Sequence, residues 1–163
     1  MTYGDDNIGS VAPGYEDFNI KAASHYLAHY GQVYTMPNKT DELVPFLRSD
    51  EFEFLKRKSV YHEKLGVHLG ALSEASCFKM LHCYVRDRSS PITEEHACAL
   101  NIETASREWF NHGEEIYEAR RRELQMVSER AGLSYLTNEL NLSYDDRVDI
   151  WRKDYDPCVR EER

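Results

Sequence analysis

A chain of 163 residues fits one domain of ordinary size or a piece of a larger one. Its 41% hydrophobic residues suffice for a packed core and exclude a disordered chain, while 30% charged residues and a mean hydropathy of -0.68 accompany the lack of any apolar run near the length of a membrane span. The formal charge of -9 argues against nucleic-acid binding over the whole surface, yet it is uneven: residues 41–53 carry a net -4 and residues 54–68 a net +3, so an acidic whole can still present a basic strip.

Residues 2–11 are β-branched and aromatic around Gly4, Asp5, Asp6 and Asn7, which predicts a hairpin. Only Met1 and Thr2 precede Tyr3, so the incoming strand is nearly absent. The chain reads as cut, with Met1 an internal methionine, and no secretory leader is expected. Asn19 caps a predicted helix to about Tyr30, with Ile20, Ala23, Tyr26, Leu27 and Tyr30 on one stripe and Gly31 ending it. Packing of Ile20, Ala23 and Leu27 against the strands is expected. An extended stretch then breaks at Pro37, with Lys39 in the turn that follows. Residues 52–62 and 66–72 predict the two strands of a second hairpin. Ser73 or Ser76 opens a helix to about residue 88 with Phe78, Leu81 and Val85 on one face. Thr93 caps a long helical region to about Ala131, interrupted near Gly113 and closed by Gly132, and acids in its first turn suit the helix dipole. Ser143 and Asp146 open a last helix carrying Val148 and Trp151. The fold class is therefore α+β, in two structural parts with a boundary near residue 72.

Several local patterns have ordinary explanations. Gly4-Asp5-Asp6 alone is a common turn. Between strands, the same run can also aim two carboxylates from one point, where hard cations such as Mg²⁺ bind. Lys39 alone is a solvated lysine, and Lys56 and Arg57 on a strand are charges that protect a sheet edge. His25 and His29 lack the glutamate of a zinc motif and read as a plain pair. Tyr26, Tyr30, Tyr34, Trp109 and Phe110 read as core. Arg120, Arg121 and Arg122, among Glu114, Glu115, Glu118 and Glu123, read as a salt-bridged, solvated face. Residues 79–88, with Lys79, His82, Arg86 and Arg88 and a net charge of +2, can face phosphates. Cys77, Cys83, Cys98 and Cys158 form no metal-knuckle spacing and are expected to be reduced, with no disulfide partner.

The order of the segments is more specific than any one of them. "YGDD", a helix, "TMPNK", "FEFLKR" and a helical tail follow one another. The chain thereby resembles, over nearly its whole length, the C-terminal part of the RNA-dependent RNA polymerases of picorna-like positive-strand RNA viruses, most nearly the marine-algal, marnavirus-like branch. Tyr3-Gly4-Asp5-Asp6 is similar to palm motif C. The helix to Tyr30 with Pro37 and Lys39 is similar to motif D, and Phe54-Leu55-Lys56-Arg57 to motif E. Residues 93–117, with Trp109 before Asn111-His112-Gly113-Glu114-Glu115, are similar to the thumb.

The resemblance implies a partial palm of hairpins plus a helix over residues 1–72 and a mostly helical thumb over 73–163. It implies template-directed nucleotidyl transfer from nucleoside triphosphates onto an RNA template-primer. Two Mg²⁺ ions, with Mn²⁺ a possible substitute, serve such chemistry about 3.5–4 Å apart. Asp5 is then the principal metal ligand and Asp6 the supporting one. Lys39 protonates the leaving pyrophosphate. Phe54, Leu55, Lys56 and Arg57 hold the primer backbone, and Lys79, Arg86 and Arg88 are thumb contacts to RNA. Motifs A and B and the basic fingers motif are not among these residues. The implied partner is the remainder of the polymerase polyprotein, the chain alone is expected to be inactive, and the setting is a replication complex in the host cytoplasm. Two other readings stand beside this one. One is an acidic helical interaction module with a chance Gly-Asp-Asp. The other is a different metal-dependent phosphoryl-transfer enzyme, using Asp17 or Asp41 beside Asp5.

Overall fold

A computed structural model describes residues 2–4, 6–36, 39, 42–48, 51–83 and 92–155. The chain divides into two compact units, Met1–Ser59 and Val60–Arg163.

In the first unit, β1 (Thr2–Tyr3) and β2 (Asp6–Asn7) pair antiparallel, with Thr2 opposite Asn7 and Tyr3 opposite Asp6. Gly4, at φ 61°, supplies the left-handed backbone that a two-residue connection needs. The predicted first hairpin is present. Helix α1 (Ile20–Ala28) starts where Asn19 Oδ1 accepts the Ala22 N–H at 3.1 Å, and Ile20 donates its N–H to the Pro45 carbonyl at 3.0 Å. Ile20, Ala23 and Leu27 are half-buried, and no α1 residue is fully buried. The core reading of Tyr26 and Tyr30 is corrected. They are 62% and 67% exposed. They lie at the edge of the apolar stripe one turn apart, and their hydroxyls meet at 3.2 Å.

Strands β3 (Glu53–Phe54), β4 (Arg57–His62) and β5 (Val67–Leu72) form one sheet in that order. The first unit ends within β4, after Ser59. The single strand expected over residues 52–62 is corrected: the chain reverses at Leu55 and Lys56, with Glu53 opposite Lys58 and Phe54 opposite Arg57. Leu55 and Lys56 sit at φ 53° and 62°, as a two-residue turn of the primed type requires. Neither residue favours that backbone, and each costs about 1–2 kcal/mol there. Nothing in their side chains signals a turn.

The second unit is built from α2 (Glu74–His82), α3 (Glu94–Phe110), α4 (Glu114–Arg130), a 3₁₀ helix (Asn138–Asn141) and α5 (Tyr144–Tyr155). Their ends follow local chemistry. Ser73 Oγ accepts the Ser76 N–H at 3.3 Å, and Thr93 Oγ1 accepts the His96 N–H at 3.3 Å. Ser143 and Asp146 cap reciprocally: the Asp146 carboxylate accepts the Ser143 N–H at 2.8 Å, and Ser143 Oγ accepts the Asp146 N–H at 3.2 Å. Gly113, at φ 100°, makes the predicted break between α3 and α4.

The α3 face toward α2 and α4 carries Ile102, Ala105 and Trp109, which pack with Cys77, Leu124, Leu133 and Leu140. A second cluster joins Phe110, Tyr117, Tyr144 and Val148. Trp109 and Phe110 are thus core, as predicted. Arg120 and Arg121 pair with Glu123 and Glu118 as expected, but the solvated reading of that face is corrected: their side chains are 28% and 18% exposed, with Arg120 over the rings of Phe78 and Trp109. A polar network, buried at Arg147 and Tyr117, lies beside the core. Arg147 contacts the Tyr117 hydroxyl at 3.3 Å and Glu139 at 2.8 Å, and Glu139 also receives Arg107.

His62 is 3% exposed, with its ring near Phe110 and stacked almost parallel to Tyr144. Its Nδ1 accepts the Leu65 N–H at 3.2 Å, so Nε2 carries the proton of the neutral ring and donates to the Tyr144 hydroxyl at 2.7 Å. Burial, and then the charges of Lys64 and Arg152, hold its pKa below the ordinary 6.5. The unfolded chain therefore takes up this proton first as the pH falls below about 6.5, and stability is lost in that window. The urea midpoint of the native chain is expected to fall between about pH 7.5 and pH 5 by more than that of His62→Gln. An equal fall in both would remove His62 as the cause.

Candidate active site

The residues singled out for chemistry divide between the two units. Asp6, Lys39 and the hairpin Phe54–Arg57 belong to the first, and Lys79 to the second. Asp5, Arg86 and Arg88 lie outside the described residues, as does Asp41.

Asp6 is exposed on β2, opposite Tyr3. Its neighbour Asn7 accepts a hydrogen bond from the Tyr34 hydroxyl at 3.1 Å. That bond ties the extended stretch after α1 to the strand that carries Asp6. Two residues on, Met36 is 4% exposed and anchors the same stretch, and its carbonyl accepts the Lys39 N–H at 2.8 Å. Lys39 itself is exposed, at φ 55°. A left-handed non-glycine residue costs about 1–3 kcal/mol, and such residues cluster at functional sites. Tyr34 is thus tied to Asn7, and Lys39 to Met36.

The tip of the β3–β4 hairpin presents Leu55, 40% exposed, and Lys56, whose side chain is 70% exposed. Lys56 Nζ lies 3.3 Å from the Glu53 carboxylate. Phe54 and Arg57 flank the tip half-buried. Lys79 is exposed in the last turn of α2.

Asn7, Tyr34 and Glu53 were missed by sequence reasoning. Asn7 follows the paired aspartates directly, and Tyr34 stands two residues before Met36, but nothing local pairs them across 27 residues. Glu53 would have emerged had the turn been placed at Leu55-Lys56. Leu-Lys is not a turn dipeptide, so the correct register was hidden.

Among the described residues, no group of three or more His, Cys, Asp or Glu side chains could hold a metal ion. Asp5 and Asp6 supply adjacent carboxylates, hard oxygen donors of the kind Mg²⁺ prefers, and the exposure of Asp6 is compatible with an ion that keeps several waters. The donor chemistry fits.

A family model described as viral RNA-dependent RNA polymerase matches residues 1–128. The replicase polyprotein of Drosophila C virus (strain EB) is 33% identical over 119 residues, covering 72% of this chain and 6% of that protein. The RNA1 polyprotein of Satsuma dwarf virus is 36% identical over 116 residues, 71% of this chain and 5% of that protein. The replicase polyprotein of cricket paralysis virus is 29% identical over 119 residues, again 72% of this chain and 6% of that protein. The chain therefore spans a small part of the curated relatives it matches. No solved structure matches it.

Proposed function

Because the chain belongs to the viral RNA-dependent RNA polymerase family, among its picorna-like members, we propose that it supplies the metal-holding turn, the proton-donating lysine and the primer-holding hairpin of an RNA-directed RNA polymerase. Residues 1–72 are then part of the palm and residues 73–163 the thumb. The family match over residues 1–128 carries this reading, because it takes in every residue given a chemical or RNA-binding role. The Tyr34–Asn7 bond supports it by tying the Lys39 segment to the strand of Asp6.

Asp5 and Asp6 would hold Mg²⁺, which when bound stabilises the attacking and leaving oxygens of the transfer. The primer 3′-hydroxyl gives its proton to solvent as its oxygen attacks the α-phosphorus of the incoming nucleotide, and the bond from that phosphorus to pyrophosphate breaks. Lys39, a point charge that can give up a proton, protonates the departing pyrophosphate. Lys56 and Arg57 bind primer phosphates, which fixes the strand without reading its sequence. Phe54 and Leu55 complete that hairpin, and Lys79, Arg86 and Arg88 meet the RNA from the thumb. The template-primer, the nucleoside triphosphates and the remainder of the polyprotein are the partners, in a replication complex of the host cytoplasm. The 163 residues contain no motif A aspartate or motif B loop, so by themselves they do not polymerise.

Single-turnover incorporation on a preassembled primer-template, with RNA binding measured separately, tests these roles in the complete polymerase. Lys39→Leu is expected to slow each addition by about 10²-fold while RNA affinity holds. Lys56→Ala is expected to do the reverse: near-normal addition on bound primer, with faster primer loss, most visibly at high salt. Normal addition by Lys39→Leu, or normal primer retention by Lys56→Ala, would remove that residue from its role.

A further inference from the structure

Lys56 is not an isolated cation. The left-handed backbone at Leu55 and Lys56 folds the hairpin tip back, and Lys56 Nζ meets the Glu53 carboxylate at 3.3 Å. Glu53 also lies across the ladder from Lys58. One carboxylate, with its side chain 28% exposed, therefore stands beside the exposed tip of a strip whose net charge is otherwise positive. A carboxylate and a phosphate oxygen offer a lysine the same kind of partner: an anionic acceptor. We infer that Glu53 is a positioning residue that competes with the primer phosphate for Lys56, so that the hairpin grips the strand reversibly. This rests on the primer-holding role proposed for Lys56.

The chemistry suits a strand that must advance one nucleotide after each addition. A lysine that finds only phosphate would hold the strand at every register. A lysine that can return to Glu53 keeps its charge partnered while the phosphate moves on. The exposed ion pair is weak enough for phosphate to displace it, since pairs of this kind are worth only a few-fold in an equilibrium constant.

The test is the dissociation rate of a primer-template from the complete polymerase, in the native form and as Glu53→Gln, Glu53→Asp, Lys56→Ala and the double variant Glu53→Gln/Lys56→Ala. Glu53→Gln is expected to slow dissociation about two- to fivefold at low salt, with the gain shrinking as salt rises. Glu53→Asp keeps the charge and is expected to stay nearer the native rate. In the Lys56→Ala background, Glu53→Gln should change nothing further, because its effect passes through Lys56. An equal gain in that background would mean that any lost negative charge helps, and would overturn the inference. Faster primer loss in Lys56→Ala, with no slowing in Glu53→Gln, would overturn it while leaving the primer-holding role intact. If Lys56→Ala lost primer no faster than the native enzyme, the role and the inference would fall together.

Discussion

Asp5→Asn, introduced into the complete polymerase, is expected to reduce nucleotide addition by about 10³-fold or more. The substitution barely changes shape but removes the charge of the proposed principal metal ligand. Metal stabilisation of transition-state charge is worth several kcal/mol, and each 1.36 kcal/mol is tenfold in rate. Asp6→Asn should be damaging to a lesser degree, with partial recovery in Mn²⁺. RNA affinity should hold in both variants, because the charges proposed to hold the primer lie elsewhere. Single-turnover incorporation from a preassembled complex separates the chemical step from binding. Near-normal incorporation by Asp5→Asn in Mg²⁺ would make Gly4-Asp5-Asp6 an ordinary turn.

Trp109→Ala is expected to cost the second unit about 3–5 kcal/mol, the range for deleting a large aromatic side chain from a packed core. Trp109 is 1% exposed. Its ring meets Phe78 edge-on at 5.2 Å, and Arg120 lies 5.9 Å from its centre. Loss of the ring would open the space between α2, α3 and α4. Trp109→Phe should cost less. It keeps most of the apolar contact and removes the indole Nε1–H, which has no hydrogen-bond partner among the described residues. Urea unfolding followed by circular dichroism measures both variants. A loss below about 1 kcal/mol for Trp109→Ala would contradict the central place given to this side chain.

The elements that sequence reading located are those with causes inside about four residues. Asn19, Ser73, Thr93 and the pair Ser143–Asp146 cap helices because each side chain reaches an N–H three residues away. Gly113 breaks the long helical region because its backbone, at φ 100°, is strained for any side chain. These local rules, and the order of short motifs along the chain, were enough for an α+β class and for the polymerase resemblance. Tertiary structure decided the rest. The bond between Tyr34 and Asn7 spans 27 residues, and the one between Tyr144 and His62 spans 82. Neither partner carries a sign of the other, because a hydroxyl or an imidazole fits many neighbours until packing selects one. Tyr26 and Tyr30 were misread because helical periodicity locates an apolar stripe but not its margins, where these two rings remain in solvent. Leu55 and Lys56 were misread for a related reason. Their intrinsic preference is against a left-handed turn, and the pairing of Glu53 with Lys58 and of Phe54 with Arg57 overrides it. Sequence thus determined the local ends of the helices and the polymerase resemblance, while the position of the lysine at the hairpin tip, and of its glutamate, was decided by a strand pairing that the turn propensity of Leu55 and Lys56 opposes.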